Sequence, residues 1–377
     1  MVSEQRTDAA GGGLRIGRIF GVPIYVAPTW FLVAALITWF YAPTVEGAVP
    51  GLGPWRYAVS LSFAVLLYLS VLVHEASHTA VAVAFGLPVR RISLHLLGGV
   101  SEIEREPETP GRDFLVAVAG PVLSLALAVV GWAASRALPD GSVLHLLAIL
   151  LAVSNLLVGV FNLLPGLPLD GGRMLRAAVW KATGRPFSGT LVAAWVGRVI
   201  AITLLAVPLA LSVAIPGFSV GLVEMVWAAL IASFIWVGAG QAIASGRFRE
   251  RLPALGARGM ARRAVGVPAD TPLAEALRRA NEADARAILV VSGDGKPQGL
   301  VSEAAVMAVP EPRRPWVAVS TVTRELRPEL VLPVDLSGPD LIAALRRTPA
   351  GEYLVLDAGG AVHGVLSAAD IRRAVGA

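Results

Sequence analysis

Residues 71–80, "VLVHEASHTA", carry two histidines and a glutamate inside a run that is otherwise apolar. His74 and His78 are four residues apart, so on a helix they share one face about one turn from each other and can reach a single cation. Glu75 lies beside them. The H-E-x-x-H arrangement offers two neutral imidazoles as zinc ligands and a carboxylate placed to take a proton from the attacking water. The alternative is a set of structural polar groups hydrogen-bonded across a helix bundle. It leaves three ionisable side chains to be satisfied in an apolar setting without the metal that would satisfy all three together. The other histidines, His95, His145 and His363, are better read as ordinary polar residues.

A catalytic zinc needs a third protein ligand and an open position for water. The stretch "FNLLPGLPLDGGRML" (161–175) supplies a candidate. Pro165 and Pro168 end a helix, Gly171 and Gly172 permit a tight turn, and an unwound segment there could bend the Asp170 carboxylate back to the metal. An Asp at a helix end is also a common cap. Its depth nevertheless matches that of the histidines, since His78 precedes the end of its helix by about 10 Å.

The chain that must position these groups has 377 residues, 55% of them hydrophobic and 16% charged, against roughly 25% charged in a soluble domain. It reads as an integral membrane protein. There are no cysteines, so thiolate metal sites and disulfides are excluded. Apolar stretches of about 20 residues or more, long enough to cross a bilayer, lie near 23–41, 58–85, 113–136, 143–164, 190–214 and 219–243. Residues 1–22 precede them without a removable signal peptide, leaving insertion to the helices themselves. Arg6, Arg15 and Arg18, then Arg90, Arg91, Arg105 and Arg112, then Arg173, Arg176, Lys181 and Arg185 fall on one side. The opposite loops carry only Arg56 and Arg136. The positive-inside rule therefore predicts a multi-pass cell-membrane protein with both termini cytoplasmic, and it accounts for the net charge of +5 without nucleic-acid binding. Arg198 and Glu224 also fall within predicted spans, at different depths, and are expected to snorkel or to hydrogen-bond locally rather than pair.

Between spans two and three, "LPVRRISLHLLGGVSEIE" (87–104) alternates and then reaches Gly98-Gly99, which predicts a β-hairpin turning there and held at the interface or against protein. An amphipathic loop is the plainer reading. After the six-span domain (23–244), residues 245–264 read as a Gly-, Pro- and Arg-rich linker. Beyond it, "LVVSGDGKPQGLVSEAAVMAV" (289–309) repeats weakly as "LVLDAGGAVHGVLSAADIRRAV" (354–375), each copy preceded by an amphipathic helix, so that 265–377 should pack as one small α/β domain. The expected fold is thus a polytopic α-helical membrane protein of six transmembrane helices with a membrane-associated β-hairpin and a C-terminal α/β pair.

His74-Glu75-Ala76-Ser77-His78 together with Asn162-x-x-Pro165-x-x-Pro168-Leu169-Asp170-Gly171 resembles the paired motifs of the site-2 protease (M50-type) family of intramembrane zinc metalloproteases. "GRIFGVPIYV" (17–26), "LGGVSEIE" (97–104) and "AVAGPVLSLALA" (117–128) are similar too. The resemblance implies His74, His78 and Asp170 as zinc ligands and Glu75 as the base. It also implies that Asn162 holds the substrate chain or the oxyanion, although an Asn near a helix end can simply cap. It implies regulated intramembrane proteolysis of a membrane-tethered protein, such as an anti-sigma factor or another transcription regulator. With only residues 137–142 between spans three and four, there is no room for the PDZ insert of another branch of that family. The tail resembles a tandem CBS domain, with Ser367 and Asp370 matching the ribose-holding Ser/Thr-x-x-Asp; the first copy has Ser302 but Ala305. That resemblance implies an adenine nucleotide (ATP or AMP) at one site at most, leaves a purely structural pair open, and allows a homodimer through the CBS domains. A CBS-regulated metal-ion transporter or channel is the competing class, since intramembrane ionisable residues also mark ion paths. A catalytically dead scaffold is disfavoured because every expected metal and base position is occupied.

Overall fold

The computed structural model describes residues 13–95, 98–215 and 219–375; Arg6 and the rest of residues 1–12 lie outside it. The chain divides into two compact units, Met1–Ala244 and Ser245–Ala377. The first opens with a hairpin, β1 (Leu14–Ile19) and β2 (Val22–Val26), and continues through α1 (Thr29–Ala48), α2 (Trp55–Ala84), β3 (Val89–His95), β4 (Gly98–Ile103), α3 (Pro110–Ala137), α4 (Val143–Asn162), α5 (Asp170–Thr183), α6 (Pro186–Ala214) and α7 (Leu222–Arg251). Among the described residues six helices are long and apolar enough to cross a membrane.

Four boundaries differ from the sequence reading. Hydropathy predicts the first span at 23–41, yet Val22–Val26 form a strand and the helix starts at Thr29. A short apolar run has the same hydropathy in a strand as in a helix, and here pairing with both neighbours decides. The strands form one sheet in the order β1-β2-β3-β4, with β2 and β3 parallel and the outer pairs antiparallel. Gly98 and Gly99 do not turn the second hairpin: they lie within β4, opposite His95 and Leu94. Asp170 is not in an unwound segment but is the first residue of α5, a helix absent from the sequence reading. Gly171 and Gly172 belong to its first turn, where a Cβ would stand 2.3 Å from the Leu163 carbonyl oxygen and 2.2 Å from the Leu167 nitrogen. The close approach of two backbones, rather than turn geometry, requires glycine there. Finally, helix α7 continues to Arg251, well into the stretch read as linker.

The apolar face of the sheet, Val22, Ile24, Val26, Ile92 and Leu94, packs on Leu72 of α2, two residues before His74. Only β1 and β4 keep free edges.

In the second unit a 3-10 turn (Leu252–Ala254) leads to α8 (Ala257–Met260) and two similar modules. The first has β5 (Ala264–Val267), α9 (Leu273–Glu282), β6 (Ala287–Val291), β7 (Pro297–Val301), α10 (Glu303–Ala308) and β8 (Thr323–Glu325). The second has β9 (Val331–Pro333), α11 (Gly338–Arg347), β10 (Glu352–Leu356), β11 (Val362–Ser367) and α12 (Ala368–Val375). Their sheets run β5-β6-β7-β8 and β11-β10-β9. One core joins the copies, with Leu289 and Leu300 of the first among Tyr353, Leu354 and Leu366 of the second.

Candidate active site

His74 and His78 are buried on one face of α2, and Asp170 reaches them from the start of α5. Three donor atoms form a near-equilateral triangle: His74 Nε2 to His78 Nε2 3.2 Å, His74 Nε2 to Asp170 Oδ2 3.2 Å, and His78 Nε2 to Asp170 Oδ2 3.3 Å. For zinc with nitrogen and oxygen ligands at about 2.0–2.1 Å, a tetrahedron separates its donors by about 3.3–3.4 Å. The triangle therefore has the size of one tetrahedral face. Among the described residues no other His, Asp and Glu side chains group in this way.

Protonation supports the same fit. His78 Nδ1 lies 2.6 Å from the Val116 carbonyl oxygen, which only accepts, so Nδ1 carries a proton and Nε2 is the nitrogen turned to the triangle. His74 Nδ1 meets Ser124 Oγ at 2.9 Å. With both Nδ1 atoms engaged outside the triangle, the two Nε2 atoms and a carboxylate oxygen converge on one point, an arrangement suited to a shared cation. Helix α3 comes close enough to supply both partners because residue 120 is glycine. A Cβ there would stand 2.3 Å from His78 Nε2 and 2.6 Å from His74 Nε2.

Glu75 points toward β4. Thr79 Oγ1 donates to Ser101 Oγ (3.2 Å), and Ser101 Oγ donates to Glu75 Oε2 (2.9 Å). A Cβ at Gly99 would fall 2.3 Å from Glu75 Cγ, so the second strand of the hairpin lies directly on the glutamate. A cavity of about 440 Å³ brings His74, Glu75, His78, Asp170 and Asn162 together with residues 98–101 of that strand. Asn162 ends α4 half-buried, and among the described residues its side-chain amide has no hydrogen-bond partner, so it is not spent as a cap. Ser367 and Asp370 belong to the second unit.

Several contributors are invisible to motif reading. Arg173 and Arg176, positive charges of an inside loop by sequence, bind the fully buried carboxylate of Asp113 in the first turn of α3, at 3.3 and 3.0 Å. This ties the helix that presents Asp170 to the one behind the histidines. Gly99 and Ser101, and Gly120 and Ser124, lie in the family-like stretches 97–104 and 117–128, but nothing in the sequence tells which of their small residues faces the site.

In the second unit, Asp370 does not stand free. Arg262 grips it with two bonds, Nε–Oδ2 2.6 Å and Nη2–Oδ1 2.9 Å, and Arg373 also contacts it. The bonds from Arg262 hold the Asp370 carboxyl below the usual carboxylate range, so it acts purely as an acceptor. Ser367 is buried beside it. Arg262 further bonds Glu303 of the first module at 3.0 Å. A cavity of about 500 Å³ adjoins Arg262, Glu303, Glu352 and Ser367.

Membrane-length helices around a His-His-Asp triangle, with a glutamate beside it, define a membrane-embedded metallopeptidase. The model of peptidase family M50 matches residues 62–145 and 134–207, and the CBS-domain model matches 257–311. A Synechocystis sp. protein named as a zinc metalloprotease, sll0528, is 31% identical over 95% of this chain and 94% of its own length. The zinc metalloprotease MJ0392 of Methanocaldococcus jannaschii is 30% identical over 51% of this chain and 52% of its own. The solved site-2 protease of Methanocaldococcus jannaschii is 27% identical, covering 61% of this chain and 95% of that one with a TM-score of 0.42. The chain belongs to peptidase family M50: it is a membrane-spanning zinc metallopeptidase carrying a CBS domain.

Because Ser101 holds one oxygen of Glu75, Ser101→Ala is expected to lower the cleavage rate about tenfold, the value of one charge-assisted hydrogen bond, with zinc content unchanged. Ser101→Thr should restore most of it. Single-turnover cleavage with metal analysis of the same samples checks both.

Proposed function

We propose that this chain hydrolyses peptide bonds in or near the membrane-spanning segments of membrane-tethered proteins, in regulated intramembrane proteolysis. His74, His78 and Asp170 would hold the zinc. When bound, the metal polarises the scissile carbonyl and lowers the pKa of the attacking water. Glu75 takes the proton of that water and returns it to the leaving nitrogen. Asn162, whose amide donors are free and face the cavity, holds the substrate chain or the developing oxyanion. The observation that carries this reading is the donor triangle, 3.2–3.3 Å on each side, with Glu75 next in sequence and lining the same cavity.

A helical substrate hides its carbonyls in hydrogen bonds, so it must be extended before attack. The free edge of β4 suits this: a substrate segment pairing there as an added strand runs past Gly99 and Ser101, alongside Glu75. A single-span protein such as an anti-sigma factor is the substrate class, with both termini of the enzyme cytoplasmic, a metalloprotease domain over 23–244 and a CBS pair beyond it able to dimerise. The transporter reading is disfavoured because an ion carrier has no use for a carboxylate held by a hydroxyl chain beside the metal. Cleavage of a single-span protein by the purified chain in vesicles should stop on chelation and return with zinc. Cleavage that survives metal removal would overturn the reading.

We infer further that adenine nucleotide regulates the enzyme at Ser367 and Asp370 only by displacing Arg262. Both oxygens of the ribose-holding acid are already taken by that guanidinium. Arg262→Gln is therefore expected to bind AMP or ATP about tenfold more tightly than wild type, on the scale of a charge-assisted hydrogen-bond pair lost to the competitor. Fluorescent-nucleotide titration measures it, and equal affinities would show that Asp370 does not hold the ribose.

A further inference from the structure

Arg198 lies in α6, seven residues past Leu191, where the apolar stretch of that helix begins, or about 10 Å along the axis. Its guanidinium carbon lies over two indoles, 4.8 Å from the ring centroid of Trp195 and 4.9 Å from that of Trp236 on α7. Cation–π contacts of this kind use none of the guanidinium's N–H donors in a hydrogen bond to an oxygen acceptor. Among the described residues none of its N–H donors has an acceptor; Nε is fully buried, so a ligand from outside would meet the terminal Nη nitrogens. Glu224, in the first turn of α7, does not pair with it.

The two indoles look outward, with Trp195 53% and Trp236 44% exposed. Phe234 lines the active-site cavity; Trp236, two residues on and about 200° round the helix, faces away from it. The two indoles beside the cation thus lie on the lipid-facing side of the α6–α7 pair, and neither they nor Arg198 line the substrate cavity. N–H donors without acceptors are costly in hydrocarbon, and a planar guanidinium fork matches the paired oxygens of a phosphate. Its side chain also leans toward the start of α6, the nearer boundary of the apolar stretch.

We propose that Arg198, Trp195 and Trp236 form a binding site for the phosphate of a phospholipid headgroup. The same two helices hold the loop that presents Asp170. A Cβ at Gly197 would stand 2.2 Å from the Leu167 carbonyl oxygen, and one at Gly238 would stand 2.6 Å from Pro168 Cγ. A headgroup at Arg198 bridges α6 and α7 beside that clamp.

The full chain is extracted from membranes in mild detergent, and phospholipid retained per protein is measured by native mass spectrometry and phosphorus analysis. Retained phospholipid should fall about tenfold in Arg198→Gln and less in Arg198→Lys, which keeps the charge but loses the fork. Should the Gln variant fail to fold, Trp236→Leu, which removes one wall and keeps the cation, must also lower retention. Equal retention in wild type and folded Arg198→Gln would overturn the proposal. So would unchanged lipid with a weakened affinity for a single-span substrate, which would assign the cation to peptide. Neither readout depends on zinc or on the assignment of the active site.

Discussion

Glu75→Gln is expected to lower peptide-bond cleavage by about 10²–10⁴-fold, the contribution of a positioned general base, while zinc content stays at the wild-type level. The amide is isosteric with the carboxylate, so the packing of residue 75 on Gly99 and its contact with Ser101 survive. His74, His78 and Asp170 are untouched. Cleavage of a single-span substrate and metal analysis of one preparation give both numbers. Loss of zinc along with activity would make Glu75 a ligand instead of a base. Full cleavage activity would remove it from the chemistry altogether.

Gly120→Ala should abolish zinc binding without altering any ligand. The added methyl would occupy the space of both Nε2 atoms, at 2.3 and 2.6 Å. Either the imidazoles rotate out of the triangle or α3 moves away from α2, taking with it the Val116 carbonyl and Ser124 that orient the rings. Overpacking of this kind costs about 1–3 kcal/mol of stability, so the protein should remain folded. Loss of ring orientation alone weakens a metal site by about 10–100-fold, and displacement of two ligands adds to that. Dialysis against buffered zinc, followed by metal analysis, measures the change. A Gly120→Ala protein that keeps its zinc and cleaves normally would mean the histidines do not meet where the triangle places them.

Much of this was legible in the residues alone. The i, i+4 histidine pair needs only a helix to converge, and a helix is what a long apolar run in a membrane must form. The number of spans follows from hydropathy in the same way, and the C-terminal repeat shows as two similar strand-turn-strand patterns. Where the reading failed, local pattern was ambiguous: Val22–Val26 is as apolar as a helix start, and Gly98-Gly99 looks like a turn in any sequence.

The tertiary structure alone decided what surrounds the motif. That Asp170 closes the triangle depends on α5, which is held by Arg173 and Arg176 on a carboxylate about 60 residues earlier in the chain. That Ser101 touches Glu75 depends on β4 lying across α2, and that Asp370 is occupied depends on Arg262, 108 residues away. Each is a contact between distant segments. Its partners are chosen by packing and by the need to satisfy buried charge, neither of which leaves a periodic trace along a single chain.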